Sequence, residues 1–532
     1  MREKHTLCYY IGQMKHRPIR QVGVRFVREG RWISLNWQEY YGLIENIASS
    51  FLASGVKPGD RIAIMSSTRM EWAVTDLSAM LVKAIVVPIF SSVHSEDLEF
   101  ILQETKPMIL FLETKRQFEM LSLLKIDTSF IKLIVVLFEE ILDKKQAEQF
   151  KSMTFYDFKN CSKNESFKER IKALINSSNF DDVATILFTS GARGKPRGVV
   201  ITHHQIMSEV SEIIPCLGLS PSDTTLTYLP YSHVLGRIEH WGSVYVGYSL
   251  AFAQSVDKLR FNLMVVKPTV MMGVPRVFEK MQDAIVAEAT VNQVKRKLFN
   301  WAIGIGKEVS RLKCERKNIS PSLGLELLLA QKLVFSKILA QFGGRLRFAI
   351  VGGAALNQDV AIFFHSIGLQ LLEGYGMTET TGAICANTPF DYRFGTVGKP
   401  QGDVKIRIAG DGEVLVKSTK VMKEYFGDPK ATLNALREGW FHTGDIGEIL
   451  PTGELKITDH KKSLFKLAGG VYIAPQKLEN LLKQQSLISN AMIYGERKRY
   501  VVALLTLNRE PILRFAAKKD IYYTDFFHLV KN

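Results

Sequence analysis

What most limits the fold of this 532-residue chain is a series of short apolar runs that alternate with helical patterns. RIAIM (61–65), AIVVPIF (84–90), MILFL (108–112), KLIVVLF (132–138), ATILFT (184–189) and TVMMGV (269–274) are almost continuously apolar. A strand half in solvent would alternate polar with apolar; an unbroken run fits a strand covered on both faces, as in a parallel sheet. Intervening segments such as EWAVTDLSAMLVK (71–83) carry apolar residues at helical spacing. The alternation predicts an α/β fold, a large N-terminal domain of several subdomains with parallel sheets flanked by helices. After about residue 400 the texture changes. VKIRIA, GEVLVKS, GEIL and GELKITD are short runs joined by Gly-Asp and Pro-Thr-Gly turns, which predicts a β-rich antiparallel subdomain. Beyond Lys462, APQKLENLLKQQS and the runs AMIYG and VVALLTL predict a small α+β unit. The expected division is therefore 1–461 and 462–532, the second part being a truncated C-terminal domain.

Hydrophobic residues are 46% and charged residues 23% of the chain, values that exclude extensive disorder. No run nears the ~20 apolar residues of a bilayer-spanning helix. The start, MREKHTLCYY, lacks the apolar core of a secretory signal. Cys8, Cys161, Cys216, Cys314 and Cys385 are dispersed without metal-ligand spacing and read as reduced thiols. A cytoplasmic protein is expected.

The net charge of +16 leaves three classes of partner open: nucleic acid, an anionic membrane surface, or anionic small substrates. Nothing resembles a nucleic-acid-binding motif, so no nucleic-acid partner is expected. The densest basic stretch, Lys295 to Lys317, interleaves its cations with Leu298, Phe299, Trp301, Ile303 and Ile305. It reads first as a solvated helix with its apolar side on the core, and second as a peripheral contact with the inner face of a membrane. Oligomeric state is not legible.

The segment richest in chemistry is Ile186 to Gln205, where a strand runs into Thr189-Ser190-Gly191-Ala192-Arg193-Gly194-Lys195-Pro196-Arg197-Gly198. Glycines let backbone N–H groups turn inward around phosphate oxygens, and the cations neutralise those oxygens. The spacing is not that of a Walker loop. On composition alone a flexible surface loop accounts for it equally well.

This segment resembles the phosphate loop of the acyl-adenylate-forming (AMP-binding) superfamily, including the Thr202-His203 pair that follows it. Six further segments fall in that family's order: LPYSHVLGR (229–237), KPTVMMGVPRVFEK (267–280), VGGAAL (351–356), LEGYGMTETTG (372–382), GWFHTGDIGEI (439–449) and TDHKKSLFKLAGGVYIAPQKLEN (458–480). VPRVFEK, LPYSHV and LFKLAGGVYIAP resemble the long-chain fatty acid–CoA ligase branch. The resemblance implies an ATP-dependent ligase that forms an acyl-AMP and then a thioester with coenzyme A. Thr189, Ser190, Gly191, Gly194, Lys195, Arg197 and Gly198 would cradle phosphate. Tyr375, between Gly374 and Gly376, would stack on adenine; Thr378 would bond the α-phosphate; Glu379 would hold Mg2+. Asp445 would accept from the ribose hydroxyls, and His233 would sit by the acid being activated. Lys462 would be a hinge, and Lys466 would face the site in one of two arrangements.

Departures from the pattern accompany the resemblance. Ala192 and Arg193 replace hydroxyl residues, and His460 stands where Arg is usual, which weakens a phosphate or ribose contact if the imidazole is neutral. The family's C-terminal lysine has no counterpart before Asn532. Two alternatives follow: a catalytically inactive protein that binds AMP or acyl-AMP, and an acyl-AMP ligase that delivers to a carrier protein.

Overall fold

The apolar runs fold into the two sheets of one unit. The computed structural model describes residues 5–137, 150–162, 164–189, 195–461, 465–467, 472–473, 475–483, 485, 487–496 and 498–531, and divides into two compact units, 1–405 with 417–436 and 406–416 with 437–532.

In the first unit, Arg61–Met65 lies parallel between Ile85–Ile89 and Ile109–Leu112, and Leu133–Val136 and Ser152–Thr154 extend one side. On the other side Val183–Thr189 joins in parallel, followed by Arg197–Thr202 and Glu424–Tyr425, both antiparallel. The second sheet runs through the parallel strands Ser249–Phe252, Thr224–Thr227, Val270–Gly273, Phe348–Val351 and Gln370–Met377. Gly382–Ala386 then turns back against the last of them.

Continuous apolar strands need cover on both faces, and the helices supply it. Leu98, Ile101, Leu102, Phe118 and Leu121 pack on Ala63, Val87, Leu110 and Ile134 of the first sheet. Phe278, Phe299 and Phe364 pack with Leu226, Met271 and Ala349 of the second. Phe299, Ala302, Gly306 and Val309 of the helix Gln293–Cys314 are buried at helical spacing. The basic stretch thus rests one side on the core, as expected, yet Leu298 and Trp301 of the same helix remain exposed.

In the second unit Trp440–Ile449 pairs antiparallel with Glu413–Lys417 and with Leu455–His460. The helix Pro475–Lys483 lies beside the hairpin Ile488–Tyr494/Val502–Leu507. The antiparallel texture read after residue 400 is therefore present. Among the described residues no helix is long and apolar enough to cross a membrane.

Two glycines of one helix yield opposite predictions. A Cβ at Gly306 would lie 2.2 Å from the Ser366 carbonyl oxygen, where the helix Gln358–Ser366 crosses; a Cβ at Gly304 would meet nothing within 4 Å. Gly306→Ala should destabilise by about 1–3 kcal/mol. Gly304→Ala should stabilise by about 0.5–1 kcal/mol through helix propensity alone. Paired denaturant titrations check the difference in sign.

Candidate functional site

The site begins with a helix fixed by a buried cation. LPYSHVLGR leads into the helix Val234–Val246, with His233 at its N-cap. One turn on, Arg237 is fully buried: Nη2 pairs with Asp76 and Nη1 donates to Thr185 Oγ1 at 2.6 Å. Its guanidinium lies 5.3 Å from the Trp72 ring and 4.6 Å from the Trp241 ring. These contacts tie the helix to the first sheet and to the helix Met70–Leu81. His233 packs edge-on against Phe90 at 4.5 Å, and desolvation on that side holds its pKa below the ordinary value. Burial pushes the neighbouring His240 down to about 3, so it is neutral beside Asp76. Glu239 is fully buried with neither oxygen in a well-formed hydrogen bond. Burial pushes its carboxyl up to about 7, and the Thr227 and Thr225 hydroxyls offset only part of that.

Further along the helix, Ile238 Cδ1 lies 2.2 Å from where a Gly382 Cβ would stand, so the helix backs directly onto the hairpin Gln370–Met377/Gly382–Ala386. That hairpin carries Gly374, Tyr375 and Gly376, with Thr378 and Glu379 in the short 3-10 turn that follows. A Cβ at Gly376 would lie 1.6 Å from the Gly382 carbonyl oxygen, so only glycine fits. The returning strand fills that space, whereas a Cβ at Gly374 would meet only the Cys385 carbonyl oxygen, at 3.6 Å. Glu373 accepts the Leu356 N–H at 2.9 Å and so joins VGGAAL to LEGYG; burial pushes its carboxyl up to about 7.

Two side chains outside every motif complete this side of the site. Tyr425 donates to Glu379 Oε1 at 2.8 Å, and Arg197 lies over the Tyr425 ring at 5.5 Å. Glu379 is thereby linked to the expected phosphate segment. Lys420 is fully buried and ion-paired with Glu209 and Glu212, each at 3.2 Å. Glu209 accepts the Ala383 N–H at 2.9 Å, while Lys420 donates to the Ala383 carbonyl at 3.3 Å. Both backbone groups of Ala383, one residue beyond the Gly376 contact, are thus anchored by the pair. Burial pushes Glu209 up to about 7 against the pull of Lys420. Neither Lys420, Tyr425 nor Glu209 stands in a recognisable spacing; Arg237 lay inside LPYSHVLGR but carried no expected role.

In the phosphate segment, Thr189 and Arg197 pair across the hairpin, with Thr189 Oγ1 donating to the Arg197 carbonyl at 3.5 Å. Lys195 lies over the Phe100 ring at 5.7 Å. A Cβ at Gly198 would crowd Ile186 at 2.9 Å and Phe426 at 3.2 Å, so this glycine serves packing as well as any ligand. Ser190, Gly191 and Gly194 lie outside the described residues, as does Lys462. Lys466 is described only as backbone, in the pair Phe465–Lys466/Tyr472–Ile473.

Asp445 and His460 belong to the second unit and face each other across the strand pair. His460 Nδ1 hydrogen-bonds Asp445 Oδ1, and this bond raises the imidazole pKa. The expected weakness of a neutral ring at this position is therefore reduced: the carboxylate favours imidazolium.

Among the described residues no group of three or more His, Cys, Asp and Glu could hold a metal ion. A lone Glu379 suits Mg2+, which keeps most of its waters and takes phosphate oxygens with one or two carboxylates.

Comparison with known proteins places this geometry. The profile of the AMP-binding enzyme family matches residues 13–426. The chain is 32% identical over 492 residues to long-chain-fatty-acid–CoA ligase FadD15 of Mycobacterium bovis, covering 91% of this chain and 78% of the relative. It is 30% identical over 529 residues to human long-chain-fatty-acid–CoA ligase 1, covering 94% and 73%. Two solved structures share the fold. The adenylation domain of a Mycobacterium chelonae carboxylate reductase has a TM-score of 0.73 at 20% identity, covering 97% of this chain and 81% of that one. The o-succinylbenzoate coenzyme A synthetase of Bacillus subtilis, solved with AMP, has a TM-score of 0.66 at 18% identity, covering 98% and 90%.

Glu239 supplies a test of the buried electrostatics. Its folded pKa, about 7, lies above the ordinary 4.5. The cost of ionising it is absent where both states are protonated, grows as pH rises through that interval, and is complete above it. Glu239→Gln removes that cost. It should stabilise the protein by up to about 3 kcal/mol more at about pH 8 than at about pH 4.5. Chemical denaturation at the two pH values checks this.

Proposed function

The chain belongs to the AMP-binding enzyme family, and from that premise we propose that it is an AMP-forming acid–thiol ligase that joins long-chain fatty acids to coenzyme A. The observation that carries the reading is the glycine-edged strand at Gly374–Gly376, followed at once by Thr378 and by a Glu379 tied through Tyr425 to Arg197. On this reading Tyr375 stacks on the adenine, and Thr378 and Glu379, which follow it in the chain, meet the phosphates.

In the first half-reaction a carboxylate oxygen of the fatty acid attacks the α-phosphorus of ATP, and pyrophosphate leaves with the electrons of the broken P–O bond. In the second, the coenzyme A sulfur attacks the acyl carbon, the thiol proton is lost, and AMP leaves. Both steps depend on positioning and on neutralising phosphate charge. Thr189, Ser190, Gly191, Gly194, Lys195, Arg197 and Gly198 bind the phosphates. Thr378 bonds the α-phosphate, and His233, kept largely neutral by its setting against Phe90, lies by the acid. Asp445, oriented by His460, takes the ribose hydroxyls. Bound Mg2+, held by Glu379, would draw negative charge from the phosphates. The segment 462–532 would turn about Lys462 between half-reactions, bringing Lys466 to the nucleotide in one arrangement. The protein acts in the cytoplasm and meets its acid at an anionic membrane surface.

A second reading is favoured by the His460–Asp445 pair: the imidazole occupies one oxygen of the carboxylate assigned to ribose. On that reading the chain holds AMP or acyl-AMP without turnover.

Fatty-acid-dependent ATP–pyrophosphate exchange separates the two. Exchange is expected with palmitate and not with acetate, and AMP binding without exchange would support the second reading. Glu379→Gln should lower exchange on the order of 100-fold, as loss of a preorganised electrostatic contact does. Tyr425→Phe should lower it about tenfold, the worth of one hydrogen bond to a charged group.

A further inference from the structure

The turn that carries His233 is held from outside by one hydroxyl. After the strand Arg61–Met65 the chain enters the loop 66–69, at the carboxyl end of the first sheet. Glu113, just past the strand Ile109–Leu112, pins that loop. It accepts the Ser67 N–H at 2.8 Å and the Ser67 hydroxyl, and Arg69 stands 3.6 Å from it. Between these two pinned residues, Thr68 reaches across to the Leu-Pro segment that follows the strand Thr224–Thr227. Its Oγ1 donates to the Leu229 carbonyl at 2.6 Å and accepts the Tyr231 N–H at 3.1 Å. The two bonds flank Pro230, which has no N–H of its own to fix the turn.

The second bond matters most, because a peptide unit is a rigid plane. The unit joining Pro230 and Tyr231 gives its N–H to Thr68, and its carbonyl accepts the His233 N–H at 3.0 Å. Fixing one edge of the plane therefore aims the other, and with it the backbone from which the imidazole extends. The helix Val234–Val246 is pressed onto the same place. A Cβ at Gly236 would lie 2.8 Å from the Pro230 carbonyl oxygen and 2.9 Å from that of Leu229. While Thr68 holds the turn, it has little room to settle elsewhere. Phe90, which follows the strand Ile85–Ile89, meets the ring edge-on at 4.5 Å. Residues just past three neighbouring strands of the first sheet thus act on one histidine, at the carboxyl edge where open α/β sheets place their ligands. We infer that Thr68 is a positioning residue of the acid-activating step: its hydroxyl, through the Pro230–Tyr231 peptide, sets His233 against Phe90 and beside the fatty carboxylate. This rests on the role proposed for His233, but the placement of the ring is measurable without turnover.

The test compares Thr68→Val and Thr68→Ala, which remove the hydroxyl, with Thr68→Ser, which keeps it. In palmitate-dependent ATP–pyrophosphate exchange, kcat of the hydroxyl-free variants should fall on the order of 100-fold, the cost of a misplacement of about 1 Å. The serine variant should stay within about threefold of wild type, the hydroxyl being retained. KM for ATP should not move, since Thr68 touches no residue assigned to the nucleotide. Thr68 is half-buried, so Tm should hold within a few degrees. A second readout needs no substrate: NMR of histidine-labelled protein, with His233→Gln to assign the resonance. The His233 imidazole should titrate below its ordinary range in wild type and in the serine variant. In the hydroxyl-free variants it should titrate closer to that range, as the ring leaves Phe90 for water. A hydroxyl-free variant with the wild-type kcat, or with the wild-type His233 titration, would overturn the inference. So would a loss of kcat that comes with an equal loss of AMP affinity and that serine does not restore, the mark of a merely structural tie. Should wild type itself show no exchange, the function proposed above fails, and the ring titration alone decides the role of Thr68.

Discussion

A buried ion costs several kcal/mol unless a partner and further hydrogen bonds offset the loss of water, and the first unit is organised around two places where that condition is met. At one, Arg237 is held by Asp76 and Thr185 between two indole rings. At the other, Lys420 is held by Glu209 and Glu212 behind the glycine-rich hairpin. Neither cation can relocate without leaving a charge stranded, so each fixes the elements its partners sit on.

The consequences reach the site through short paths. Arg237 sets the helix Val234–Val246 against the first sheet, and Ile238 of that helix backs onto Gly382. Glu209 and Lys420 then hold both backbone groups of Ala383, so the returning strand cannot slip. With Gly382 placed, the outgoing strand has room for no side chain at 376. Tyr375, Thr378 and Glu379, each half-buried, stand on the strand and turn that this sequence of contacts places. The same low-dielectric interior raises Glu239, Glu209 and Glu373 to about 7 each, the electrostatic cost of building a scaffold with polar ties.

Much of this was legible in the chain itself. The parallel sheets follow from runs such as IAIM and IVVPI, because texture reports how many faces a strand buries. LEGYGMTE was legible only through its resemblance, and of its two glycines Gly376 proves a steric requirement. What stayed hidden shares one property: it depends on contacts distant in sequence. Tyr425 meets Glu379 from 46 residues away, and Glu209 meets Ala383 from 174. Lys420, in STKVMKEY, carries no periodicity that separates a buried lysine from a solvated one. Leu325 and Leu328 mislead in the other direction, since an apolar helix reads as core and here is half bare.

The buried Lys420 pair places the strand Gly382–Ala386, and through it the strand proposed to hold the nucleotide. The measurement that tests it most directly is calorimetric AMP affinity of the double variant Lys420→Met/Glu209→Leu beside wild type. Replacing a buried pair by apolar residues is commonly neutral or stabilising for the fold, so Tm should hold within a few degrees. Ala383 would nonetheless lose both its anchors, and AMP affinity should fall by about tenfold or more, the worth of one or two charge-assisted hydrogen bonds. A double variant that keeps its Tm and binds AMP as tightly as wild type would contradict the account.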